Sequence, residues 1–189
     1  AGLNIRKRPL RKIGRVTLRG APSQSVVSGT TTTTTVSSTF NFLGQETSRI
    51  VTTETRRTPN TSIVEKIIKD TYTLESKLTD GGFLPVLTLN SRETTHFHYE
   101  DSVYDAGSAT NQPKLLSKET VTGGQGLGLV AGGFFSDVWR DALAREITGY
   151  AYNEDTGFLE TETTTRQIFI LISVSGAGGA DEGEWINQA

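Results

Sequence analysis

No cysteine and no methionine occur among the 189 residues. Without thiols the chain has no disulfide staples, no thiolate metal site and no cysteine nucleophile, so packing or partners must hold it together. Without methionine, Ala1 is expected to be a processed start, left by removal of an initiator Met or by cleavage of a longer precursor. Long apolar runs are missing as well. The longest, Ile168 to Ile172, is strand-sized, against the roughly 20 residues that a membrane helix needs. No membrane role is expected. Acidic residues are missing from the first part of the chain, none preceding Glu46. Histidine is scarce: His96 and His98 are the only two.

What is abundant is threonine, with 29 residues, six of them consecutive from Thr30 to Thr35. A β-branched side chain is stiff at χ1 and suits a pleated surface, so the composition favours strands. The run contains neither Gly nor Pro and continues into "VSSTFNF", where Val36, Ser38, Phe40 and Phe42 alternate with Ser37, Thr39 and Asn41. A mucin-like stalk would bring prolines. With a turn around Gly44 and the β-rich "TSRIVTTETRR" after it, residues 27–57 are expected to form a long projecting hairpin. Thr-x-Thr triplets at 53–55, 71–73 and 161–163 suggest an ice-binding ladder, but their spacing is irregular where a solenoid needs a fixed period.

The rest of the chain is read in the same way. "SIVEKIIKD" carries a capping-box pattern, Ser62 to Glu65, yet is rich in β-branched residues, and only the following "TYTLESKLT" is assigned to a strand. Phe83 to Leu89 is expected to pair with Thr94 to Tyr99 across "NSRE". Residues 105–118 read as a polar loop, and "VTGGQGLGLVAGG" as a glycine-rich crossing where the backbone bends or approaches a neighbour closely. "SDVWRDALAREI" reads as a helix over 136–147. Ser136 would be its N-cap, Val138, Trp139, Ala142, Leu143 and Ile147 its apolar stripe, Asp141 would pair with Arg145, and Gly149 would stop it. "YAYNEDTGFLETETTT" is a hairpin turning at "NEDTG", and "QIFILISVS" is a strand apolar on both faces.

Together these segments predict a mainly β fold, an antiparallel β-sandwich or barrel with one flanking α-helix and extended terminal arms. The expected organisation is a basic arm over 1–25, a single β-rich domain over 26–175 and a Gly-rich acidic tail over 176–189 in which Trp185 and Ile186 dock.

Chemistry-bearing constellations are few. In "HFHYE", His96, His98 and Glu100 share one strand face, and two imidazoles with a carboxylate are candidate ligands for iron or zinc. The segment resembles the first half of the cupin motif. The carboxylate spacing is shorter than in that family and no third histidine exists, so the alternative is a solvated histidine face. Gly126, Gly128 and Ala131 fit G-x-G-x-x-A, but no buried strand precedes them and no βαβ unit follows. No G-x-S-x-G occurs. The sequon Asn60-Thr61-Ser62 has meaning only in a secreted protein.

The strongest signal is the basic arm. Arg6, Lys7, Arg8, Arg11, Lys12, Arg15 and Arg19 crowd the first 19 positions, whereas Asp181, Glu182 and Glu184 follow Arg166 with no basic residue among them. Such an arm could neutralise phosphates in a sequence-blind way, or dock on acidic protein surface within one chain or between copies. It holds no aromatic residue for base stacking. These features lead to the expectation of a non-enzymatic structural subunit without cofactors, of a self-assembling virus particle, in particular a phage capsid, neck or tail protein. It would act in the virion, assembled in the host cytoplasm, against copies of itself and other particle proteins. In outline the chain is similar to the β-barrel-plus-helix subunits of phage tails and head–tail connectors. The alternatives are a nucleic-acid-binding β protein using the arm, and a metal-dependent β-barrel enzyme centred on His96, His98 and Glu100.

Overall fold

A computed structural model of the chain describes residues 16–27, 29–57, 63–100, 113–130, 134–173 and 182–188. Every regular element among them is a strand: β1 (Val16–Arg19), β2 (Ser23–Val27), β3 (Thr30–Phe40), β4 (Glu46–Arg57), β5 (Val64–Thr79), β6 (Gly82–Tyr99), β7 (Leu115–Val130), β8 (Phe134–Tyr152), β9 (Leu159–Ser173) and β10 (Glu182–Asn187). All ten belong to one antiparallel sheet in the order β1-β3-β4-β5-β6-β7-β8-β9-β10, with β2 also on β3. β1 and β2 lie end to end on the same flank of β3, opposite Phe40–Ser37 and Thr34–Thr30. They amount to one edge strand broken at Gly20–Pro22, and Gly20 still donates its amide to Val36 O at 2.9 Å. The result is an up-and-down meander whose two edges are open among the described residues.

The threonine run is a strand, as its stiffness implies. The β3–β4 turn is tied by Asn41, whose Oδ1 accepts the amides of Leu43 and Gln45, both at 3.0 Å, and Gly44 supplies the positive φ of 76°. The β8–β9 turn repeats the device: Asn153 Oδ1 accepts from Asp155 N at 3.0 Å and Thr156 N at 2.8 Å, and Gly157 takes φ 71°.

Four expectations are corrected. The sheet is single and open, neither sandwich nor barrel, because apolar and polar side chains mix on both faces and supply no continuous oily face to close upon. Among the described residues there is no helix, and the segment 136–147 lies in β8. Ser136–Arg140 pair with β7 and Ala144–Ile147 with both β7 and β9, and that pairing overrides the helical spacing of the segment's apolar residues. Arg145 takes Glu119 and Trp185 as neighbours, and Asp141 accepts a 2.9 Å bond from Trp139 Nε1.

The hairpin over 27–57 does not project. It is embedded between the first edge and β5. Finally, Phe83–Leu89 and Thr94–Tyr99 are parts of one strand. The polar "NSRE" between them holds no turn: Arg92 bonds Asp70 at 2.6 and 2.8 Å, and Lys69 bonds Glu93 at 2.8 Å, across to β5. Asn90 is left as a bulge between the pairs Thr71↔Ser91 and Tyr72↔Leu89.

A segment that does project is the tip of β5–β6. Pairing of β5 with β4 stops at Thr73, and pairing of β6 with β7 starts at Ser91. Leu74–Thr79 and Gly82–Leu89 therefore continue as a two-stranded ribbon, about 20 Å long at the rise of an extended chain.

Candidate functional site

Among the described residues nothing is stacked on the sheet, which therefore withdraws little from water. Among the described residues Ile63 is the one buried hydrophobic, at 6% exposure, and Phe83 and Leu78 on the β5–β6 ribbon are each 73% exposed. Val16, Leu18, Val26 and Val27 on the first edge are exposed too. The register explains why. One face carries Val51, Ile68, Val121 and Ile147 among Thr32, Thr34, Thr53, Thr94, Asp70, Arg92 and Arg145. The other carries Ile50, Ile67 and Ile168 among Thr33, Thr52, Thr95, Thr120, Glu146 and Arg166.

Polar side chains hold the two faces laterally. Threonine hydroxyls pair across strands, Thr95 with Thr120 at 3.0 Å and Thr148 with Thr164 at 3.2 Å. Ion pairs tie neighbouring strands: Arg57 with Glu65 at 2.7 Å, Arg166 with Glu146 at 2.8 Å, and the bidentate Arg92–Asp70 fork, which raises the affinity of the guanidinium for its proton. Near the β3–β4 turn, hydrogen bonds from Arg49 and then Ser38 hold the Glu46 carboxyl below its ordinary value. Lys114 lies over the Tyr152 ring at 5.4 Å.

The residues singled out from sequence fall as follows. Arg6, Lys7, Arg8, Arg11, Lys12 and Arg15 lie outside the described residues, and Arg19 is the exposed last residue of β1, opposite Ser37. His96 and His98 share a face of β6. His96 has Lys66 of β5 and Glu119 of β7 as its cross-strand neighbours, and His98 has Ser117. Glu100 follows the strand end, its amide donating to Lys114 O at 2.9 Å. No three His, Cys, Asp or Glu side chains among the described residues come together as a metal-binding group.

Trp185 and Ile186 are in β10. The Trp185 ring meets Phe169 edge-on, with centroids 5.2 Å apart, and the Arg145 guanidinium stacks 4.4 Å over it. Ile186 is exposed on the opposite face. The glycine-rich crossing is strand β7, and there the expected close approach is found. A Cβ on Gly123 would lie 2.7 Å from Asp141 O and 2.8 Å from Arg140 O.

The exposed ribbon escaped sequence reasoning, although its signal was present: "TLESKLTDGGFLPVLTL" places Asp80-Gly81 between alternating segments, a short-range mark of a tight hairpin. No protein-family model, curated protein or solved structure matches this chain.

Proposed function

We propose that the chain is a non-enzymatic structural subunit of a self-assembling particle, in the first instance a virus particle such as a phage capsid, neck or tail. One observation carries the reading: a ten-stranded sheet in which Ile63 is the one buried hydrophobic among the described residues. Domains bury the apolar side chains of a sheet against a second layer, and in the described part of this chain no such layer covers the valines and isoleucines scattered over its two faces. A second copy supplies it in the simplest way, and the sandwich expected from sequence then belongs to the assembly. Large obligate interfaces of this kind resemble a domain core divided between partners.

Size-exclusion chromatography with light scattering tests it. The full chain is expected as a large, homogeneous species. A parallel experiment removes residues 1–15, which spares β1, whereas a cut after residue 25 would delete β1 and most of β2. A smaller species on truncation gives the basic segment an intersubunit role. A folded monomer of the full chain at every concentration overturns the reading.

A further inference from the structure

We propose that the two open edges of the sheet are the two halves of one interface, the β1–β2 edge of one copy pairing with β10 of the next. The inference deepens the assembly reading above and rests on it.

Direction is the first support. Eight antiparallel steps separate the first edge from β10, so the two edges run the same way, and a copy added without inversion meets its neighbour as a parallel pair. Level is the second. Cross-strand partners form one unbroken rung, Ser23–Thr34–Thr53–Ile68–Thr94–Val121–Arg145–Gln167–Asn187. Continuing that rung into the next copy sets Asn187 beside Ser23. From Ser23 back to Arg19 the edge advances only three positions along β3, Thr34 to Ser37, because one extra residue lies in the Gly20–Pro22 break, and three positions back along β10 from Asn187 set Glu184 beside Arg19.

Charge is the third. Seven cations and no acid lie in the first 45 residues, and three acids with no basic residue follow Arg166. Pairing β10 with β10 would juxtapose Glu184 with its own kind, and pairing the first edge with itself would bring cationic segments together. Only the unlike pairing is attractive, and it is heterologous, so repetition yields a ring or a filament. It also covers Leu18 and Ile186, which are exposed in the single chain. The break at Gly20–Pro22 shortens the edge strands, which limits indiscriminate pairing and leaves charge to select the partner.

The absence of cysteine makes the test clean. Single-cysteine full-length chains, Ser23→Cys and Asn187→Cys, are mixed in the assembled state, joined by a short bismaleimide and analysed by mass spectrometry, with light scattering on the same samples. The expected product links position 23 of one chain to position 187 of another. Links within either variant alone, or an intramolecular link in the Ser23→Cys/Asn187→Cys double variant, overturn the proposal. Large particles without any edge link overturn it while leaving the assembly reading intact, and a monomer removes both. In addition, Glu184→Arg should raise the concentration for half-assembly about two- to fivefold, and Arg19→Glu in the same chain should restore it. An unchanged midpoint in Glu184→Arg counts against charge selection of the edge.

Discussion

Thr148, Thr31 and Asp70 are the polar side chains most withdrawn from water among the described residues, at 1%, 7% and 9% exposure, and in this sheet they outnumber buried hydrophobics. Each such group needs a partner, since a withdrawn polar atom left alone costs about 1–3 kcal/mol. Thr148 has Thr164 and Asp70 has Arg92. Tyr99 follows the same rule, its hydroxyl donating to Val64 O at 2.9 Å. Burial, with the Glu65 charge nearby, holds its phenol above the ordinary value of 10.0, against the opposing pull of Arg56 and Arg57. The neutral form is the one the fold favours. Its contribution is therefore complete below the unfolded value and is lost as pH rises through the higher folded value. Tyr99→Phe should lower stability by about 1 kcal/mol, read as a denaturation midpoint. It should also remove one phenol from the late part of the alkaline absorbance titration. Loss of an early-titrating phenol instead would contradict this account.

At the scale of elements, β7 and β8 show why glycine is needed at one place and merely present at another. The β7–β8 register jumps from Thr122↔Ala144 to Gly124↔Arg140, so that Asp141, Ala142 and Leu143 bulge opposite Gly123 alone. The bulged backbone passes so close to Gly123 that a methyl group would strike two carbonyl oxygens, neither of which can swing aside as a side chain would. Gly149, farther along β8, has nothing within 4 Å of a built Cβ and no positive φ. Gly123→Ala should destabilise the chain by about 1–3 kcal/mol. Gly149→Ala should be neutral or stabilising by up to about 1 kcal/mol, through the reduced freedom of the unfolded chain. Paired denaturant titrations check this, and equal effects at the two sites would show that the bulge does not press on Gly123.

For the whole molecule, lateral hydrogen bonds and ion pairs join the strands, but no second layer covers them among the described residues. If neighbouring copies supply that layer, stability is linked to association and varies with protein concentration. The thermal midpoint of the full chain should rise over about a hundredfold range of concentration. The β5–β6 ribbon, with Leu78 and Phe83 bare in the single chain, should become protected in the same range. Calorimetry at several concentrations, with proteolysis at the ribbon, gives both readings, and a constant midpoint with an equally cleavable ribbon argues for a self-sufficient monomer.

Strand-forming chemistry is local, and the sequence alone carried it. The stiffness of Thr30–Thr35, the turns around Gly44 and over "NEDTG", and the alternation from Val36 to Phe40 all act over a few residues, so those elements were legible without the fold, whereas Asn41, read as a strand position, closes the turn instead. The assignment of Trp139–Ile147 was not, because its spacing suits a helix and only the hydrogen-bonding edge of β7, joined by β9 from Ala144 on, chooses the strand. The same holds for "NSRE", whose charges look like a turn until Asp70 and Lys69 stand opposite them. Whether the strands close, stack or remain one open sheet depends on which faces meet across distances that no sequence window spans. Tertiary structure decided that, and among the described residues it left both faces and both edges of the sheet uncovered.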